Sequence, residues 1–492
     1  MSLSKKVGQN TIIQIVGKII STILGLLALA VMTRYLGAAG FGKYTTIFTF
    51  ISFFAIIADL GLTLVTVQMI SDPGVDENKV LNNLLTLRLC SALIFLGMGP
   101  IIVLFFPYET SIKLGILVTA VSLLFVALNQ IMTGIFQKRL IMNKSVWAEV
   151  TSRVVLLLSI ILIAYFHGSL LAILWASVLS SAISFGIQFY FSREFISLKL
   201  EYDKEIWRAI IKKSWPLAIT IAFNLIYLKA DTLILSLIKS STEVGIYGSA
   251  YKIIDVLVTI PFMFAGVVLP ILTADWLQKN TEHFKKVFQR SLDFMILMAF
   301  PLIIGTQFIA KDLMVLIAGP EFAAAGMILQ ILILAAALIF ISCIFSHIII
   351  AINQQKKIIG AYVFTSLTAL AGYLIFIPKY SYLGAAWTTI YSELAILLFA
   401  AYYVKKYTAV SIKLRMAGKA FLASSIMGGI ICLLPAGLSA NKLGLLVTII
   451  VAALAYLIAL IALKAISRDD LKLLLPQTNK SSVPVLDLEN KS

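Results

Sequence analysis

"TRYLGAAGFGKY", residues 33–44, sets two basic side chains and three glycines between two long apolar runs, Thr11 to Thr33 and Tyr44 to Gln68. Each run has the roughly 20 residues that cross about 30 Å of hydrocarbon as a helix. The glycines permit a tight reversal between them. Read this way, the stretch is the outer turn of a transmembrane hairpin.

The rest of the chain follows the same grammar. Of 492 residues, 60% are apolar and only 13% are charged, and the mean hydropathy is +1.00. A water-soluble fold needs far more charge, so composition assigns the membrane class. The formal charge of +17 is not the footprint of a nucleic-acid binder, because the basic residues lie in short segments between apolar runs. Cys90, Cys343 and Cys432 fall inside apolar runs and suggest neither a disulfide framework nor a metal site. Lys5, Lys6 and the Ala28-Leu29-Ala30 sequence have the outline of a signal peptide. The length of the run, Lys18 within it and the many runs that follow argue for an uncleaved first span.

About fourteen spans are expected, at 11–33, 44–68, 80–106, 113–135, 150–166, 169–191, 214–238, 249–273, 291–310, 322–347, 358–377, 383–404, 416–436 and 443–464. With the N-terminus inside, about 28 of the 40 basic residues fall on the inner side and about 7 outside. The expected organisation is an N-terminal six-helix bundle (1–191), a cytoplasmic linker (192–213), a second six-helix bundle (214–404), two additional helices (405–466) and a polar cytoplasmic tail (467–492). Shifted by about 203 residues, Gly42-Lys43-Tyr44 lies on Gly245-Ile246-Tyr247 and span one on span seven. Six is even, so the two bundles would be parallel repeats, an arrangement that binds substrate between them.

No phosphate loop, dinucleotide fingerprint or metal-spaced His/Cys/Asp cluster occurs in the chain, and His167, His283 and His347 stand far apart. Charges inside spans carry more information, since each costs several kcal/mol in lipid unless it meets a wet cavity or a partner. Lys18 and Asp59 lie deep and are expected to face a hydrated lumen. Arg88, Arg153 and Asp293 lie near cytoplasmic span ends, where long side chains snorkel to water. Lys252 and Asp255 share a helix face, whereas Lys229 and Asp231 point apart and each needs a partner from another helix. Glu393 is the acid of span twelve. Arg34 either anchors at headgroup level or guards the outer mouth, where its guanidinium suits phosphate.

"TRYLGAAGFGKYTTIFTF" (33–50) and "DLGL" (59–62) resemble the opening region of Wzx-type polysaccharide-export flippases of the multidrug/oligosaccharidyl-lipid/polysaccharide (MOP) superfamily. "VGIYGSAYKI" (244–253), "LIAGPEFAAAGMILQIL" (316–332) and "IPKYSYLGAAWTTIYSE" (377–393) continue the resemblance to about residue 404, with Ser381 standing where the family often has glycine.

The resemblance implies an all-α, MATE-like fold of two six-helix bundles around a central cavity, plus two C-terminal helices. It also implies alternating-access movement of undecaprenyl-diphosphate-linked repeat units, as for O-antigen, lipopolysaccharide or capsule, to the outer leaflet. Lys18, Arg34, Arg88, Lys229 and Lys252 are this chain's candidates for a cationic cavity, and Asp59, Asp231, Asp255 and Glu393 for ion coupling. No cofactor is implied beyond an H⁺ or Na⁺ gradient. The implied partners are the lipid-linked glycan, membrane lipids, a polysaccharide polymerase and a chain-length regulator, with no nucleic acid. The implied location is a bacterial or archaeal cytoplasmic membrane, and the count of basic residues by side puts both termini inside. The rival readings are a multidrug antiporter, whose cavity acids would attract cations, a lipid II-type flippase, and a polymerase or ligase. The last would need a large outer loop, and every expected outer loop has roughly ten residues or fewer.

Overall fold

The computed structural model describes residues 3–465 apart from 60, 63–65, 67–68, 71–75, 196, 198, 409 and 436; the expected tail from Ser467 lies outside the described residues. Thirteen α-helices carry the described chain: α1 (Leu3–Asp59), α2 (Glu77–Ile102), α3 (Thr110–Lys138), α4 (Asn143–Tyr165), α5 (Leu170–Ser192), α6 (Lys204–Ile238), α7 (Ser241–Leu257), α8 (Thr259–Leu277), α9 (Thr281–Ala318), α10 (Ala325–Ala351), α11 (Gln355–Thr408), α12 (Arg415–Leu433) and α13 (Lys442–Ala462). No strand occurs among the described residues. In lipid that is required, because only helices or closed barrels satisfy every backbone polar group.

Eleven helical stretches are long and apolar enough to cross a membrane, with α7 and α8 joined as one, Ser241–Leu277. Two of the eleven cross twice. At 57 residues α1 would run about 85 Å if straight, and α11 has 54 residues. Both bend at a residue with positive φ, Gly37 (φ 65°) and Ser381 (φ 51°). The nine single crossings and these two doubles give thirteen among the described residues, and α6, 35 residues long, would be the expected fourteenth.

Neighbour contacts fix the sense of each crossing. The arms of α11 run antiparallel: Gly384 approaches the Phe376 carbonyl, Gly372 approaches Thr388, and the Tyr391 hydroxyl donates to Thr368 Oγ1 at 3.0 Å. The first arm of α1 runs parallel to α4, with Gly17 against Val146 and the Tyr35 hydroxyl donating to the Gly168 carbonyl just beyond α4. Its second arm runs antiparallel to α2, with Gly99 against Ile51 and the Ser91 hydroxyl donating to the Ala58 carbonyl at 2.8 Å.

Ser381 adopts a backbone conformation that costs a non-glycine residue about 1–3 kcal/mol. Its hydroxyl donates to Glu243 Oε1 at 2.5 Å, tying the α11 bend to the first turn of α7. The linker is likewise held. Backbone N–H groups of Lys199, Glu201 and Asp203 donate to Asn82, Thr86 and Asn83 of α2 at 3.0, 2.9 and 2.6 Å. Asp203 then caps α6 and pairs with Lys79 at 2.6 Å, and that hydrogen bond holds its carboxyl below the usual range.

The N-terminal group, α1–α5, meets the second group, α6–α11, at a close helix crossing between the second arm of α1 and α7. A β-carbon on Gly42 would sit 1.7 Å from the Ser241 carbonyl oxygen, and one on Gly245 would sit 2.0 Å from that of Ala38. Gly248 faces Thr45 in the same way, at 2.7 Å. Each pair joins residue i to i+203 or to a position four residues from it, so the shift suggested by the sequence repeat is a near two-fold relation in space. The crossing uses the small-residue approach that lets membrane helices pack backbone to backbone.

Arg88 is the largest side chain in the buried set, 2% exposed, and its guanidinium bonds Asp59 Oδ1, Gln130 Oε1, the Asp59 carbonyl at 3.1 Å and the Ala127 carbonyl at 3.2 Å. The deep charge of α2 is therefore a fastener among α1, α2 and α3. The expectations that Asp59 faces a lumen and that Arg88 snorkels or lines a cavity are corrected here: each spends its charge on the other.

Two outcomes follow. Gly42→Val and Gly245→Val should each lower the yield and thermal midpoint of detergent-purified protein, overpacking of this kind costing about 1–3 kcal/mol or more; wild-type midpoints in both would contradict the crossing. Asp59→Ala should cost about 3–5 kcal/mol of stability by stranding the buried guanidinium. Asp59→Ala combined with Arg88→Met should recover part of that loss, and equal loss in both variants would contradict the pairing.

Candidate functional site

Between the two groups, on the Lys18 side of the crossing, lies a cavity of about 250 Å³. The first arm of α1 supplies Lys18, Ser21 and Thr22, α4 supplies Glu149 and Arg153, and α7 supplies Lys252 and Asp255. Helical spacing explains the grouping. Glu149 and Arg153 are four apart and Lys252 and Asp255 three apart, so each pair presents one face to the same space.

Lys18 pairs with Glu149 at 3.7 Å and Lys252 with Asp255 at 3.9 Å, all four side chains being about two-fifths exposed. Among the described residues Arg153 has no carboxylate within ion-pair distance. The wall thus carries three cations against two carboxylates, and its least compensated group is a guanidinium.

A second compartment of about 210 Å³ continues into the second group and shares Asp255. Lys229 reaches Asp255 from α6 at 3.5 Å and stands 4.7 Å over the Tyr251 ring. Glu393 closes its far wall; it is 3% exposed, and its Oε1 has no hydrogen-bond partner among the described residues. A buried carboxylate oxygen without a donor is costly. Tyr227, Tyr362 and Thr389 line the same space.

The other expected residues lie elsewhere. Asp231 is fully buried and accepts from the Tyr247 hydroxyl at 2.6 Å and from the Thr232 backbone at 2.5 Å, a fastening between α6 and α7. Its partner comes from another helix, as its spacing from Lys229 requires. Arg34 lies beyond the crossing, its Nη2 donating to the Leu316 carbonyl of α9 at 2.5 Å. Arg88 and Asp59 line neither compartment. Arg153, expected to snorkel to water at a cytoplasmic span end, lines this cavity instead, as does Glu149, which the sequence reading does not single out although their i, i+4 spacing is the signal.

The face beyond the crossing is closed by contacts between the two groups. The Ala38 N–H donates to Glu321 Oε2 at 2.9 Å, and the Tyr108 and Ser236 hydroxyls lie 2.7 Å apart. Gly37 belongs to this seal, since a β-carbon there would sit 2.9 Å from Glu321 Oε2. Residues 33–44 thus supply both a bend and a sealing contact.

Comparison with known proteins agrees with this architecture. The family model described as polysaccharide biosynthesis protein matches residues 7–276, and the MatE model matches residues 216–376. The chain is 26% identical to the capsular polysaccharide biosynthesis protein CapF of Staphylococcus aureus over 307 residues, 59% of this chain and 74% of that protein. It is 23% identical to the probable low-salt glycan biosynthesis flippase Agl15 of Haloferax volcanii over 202 residues, 41% of this chain and less than half, 43%, of that protein.

Among solved structures, the lipid II flippase MurJ in an inward closed conformation superposes with a TM-score of 0.74 at 19% identity, covering 90% of this chain and 97% of that one. An inward-facing multidrug-resistance MATE transporter of the MOP superfamily superposes at 0.63 with 14% identity, covering 82% and 99%. With more than half of its length matched by the family model, this multi-pass membrane protein belongs to the polysaccharide biosynthesis protein family, built on the fold of MOP-superfamily transporters.

Proposed function

We propose that the protein is a flippase that carries undecaprenyl-diphosphate-linked oligosaccharide from the cytoplasmic to the outer leaflet by alternating access. The observation that carries this reading is the cluster of Lys18, Arg153 and Lys252 around one cavity between the two helix groups, with no carboxylate within ion-pair distance of Arg153 among the described residues. A diphosphate is the group such a wall attracts. Guanidinium binds phosphate oxygens in a fork and ammonium adds point charge, both strengthened where little water competes.

The glycan is larger than 250 Å³, so carrying it requires the two groups to part on the Lys18 side. The sealing contacts around Ala38 and Glu321 must open at the other stage of the cycle. The excess of basic residues on the Lys18 side supports a cytoplasmic position for that side and for both termini. An antiporter for cationic drugs fits less well, because the cavity's two carboxylates are each engaged by a lysine.

Glu393 is the candidate for coupling to a cation gradient. It lines a compartment joined to the cationic cavity through Asp255, and its Oε1 has no hydrogen-bond partner among the described residues, so taking up H⁺ or Na⁺ there would change the charge balance that Lys229 and Asp255 feel.

Arg153→Ala and Lys18→Ala should each lower glycan export in cells at least tenfold at unchanged protein level in the membrane; normal export in both would remove the cationic cavity from the mechanism. Glu393→Gln keeps the side chain's shape but not its charge, and it should make translocation in proteoliposomes insensitive to imposed H⁺ and Na⁺ gradients. Undiminished sensitivity would place coupling elsewhere.

A further inference from the structure

On the far side of the crossing a second basic cavity, of about 520 Å³, lies between the end of α9 and the start of α13. Arg34, Lys311 and Lys442 line it, and Asp312 is the carboxylate in its wall. Asp312 accepts from the Ser439 hydroxyl. Among the described residues none of the three cations has a carboxylate within ion-pair distance. The Leu316 carbonyl holds the Arg34 guanidinium by Nη2, and its remaining N–H groups take no acceptor among the described residues. Val315, Leu316 and Leu445 form the apolar part of the same wall.

We infer that this cavity binds the phosphate or diphosphate head of a lipid, with Arg34, Lys311 and Lys442 on the phosphate oxygens and the apolar wall against the start of its chain. One guanidinium and two ammonium groups lining a single cavity match a multiply charged oxyanion. The adjoining apolar wall favours a lipid-borne phosphate over free inorganic pyrophosphate, because only the former buries hydrocarbon there. The inference rests on reading the protein as a carrier of diphosphate-linked lipid and deepens it. Cationic sites then stand on both sides of the seal, and this one receives the head group after the seal opens, giving Arg34 a role in release.

The test is calorimetric titration of the full chain, in phosphatidylcholine nanodiscs, with farnesyl diphosphate and with inorganic pyrophosphate. Wild type should bind two equivalents of farnesyl diphosphate. Lys311→Gln/Lys442→Gln, which leaves the Arg34 to Leu316 bond in place, should weaken one of them at least tenfold, and Lys18→Ala/Arg153→Ala should weaken the other. Arg34→Lys, which keeps the charge and loses the fork, should weaken the same site as the lysine pair. Unchanged binding in both Lys311→Gln/Lys442→Gln and Arg34→Lys would overturn this site while leaving the central cavity standing. Loss confined to those variants would uphold it and remove the central cavity. Pyrophosphate binding as tightly as farnesyl diphosphate at the Arg34 site would overturn the assignment to a lipid.

Discussion

The structure depends on one close approach, the crossing at which Ala38 and Gly42 of α1 meet Ser241 and Gly245 of α7 backbone to backbone. No side chain larger than a hydrogen fits at either glycine, and the two contacts are reciprocal under the same shift of 203 residues. Lipid gives helices no hydrophobic reason to associate, so such an approach gains its stability from dispersion and packing. It joins the two groups at one end and leaves them free to diverge at the other. The cavity lined by Lys18, Arg153 and Lys252 lies at the divergent end, so the proposed alternating access would use the crossing as its fulcrum.

The same constraint sorts the membrane charges into two kinds. Those that fasten helices within a group are saturated: Arg88 by Asp59, Gln130 and two carbonyls, Asp231 by Tyr247 and Thr232. Those that face the space between groups are loosely held, at 3.5 to 3.9 Å, or, as Arg153, have no carboxylate within ion-pair distance among the described residues. A tightly matched ion pair is a poor ligand site, because a substrate must first break it. Loose pairs around a shared cavity can exchange a carboxylate for a phosphate at small cost.

Much of the fold was legible in the residues. Apolar runs of about twenty residues gave the crossings, and the glycines of 37–42 and the turn around Ser381 gave the two sharp bends, because length and backbone freedom are local properties. Charge function was not local. Arg88 and Arg153 look alike in sequence, each a single arginine near one end of an apolar run, yet one ends fully buried and the other lines the cavity. Helical phase and the neighbouring helix decide between those fates: Asp59 is 29 residues from Arg88, and Lys18 is 135 residues from Arg153. A single sequence does not pair residues across such distances, although the i, i+4 spacing of Glu149 and Arg153 marked a polar face within a span.

The central claim is that the cationic cavity carries a diphosphate-linked glycan and not a cation. Its most direct test is reconstitution of the purified protein into liposomes loaded with a fluorescent undecaprenyl-diphosphate oligosaccharide, with translocation read by quenching from one side and efflux of a cationic dye measured in the same vesicles. The account predicts glycolipid translocation that a soluble diphosphate competitor slows, without dye efflux. Dye efflux with a stationary glycolipid would contradict it.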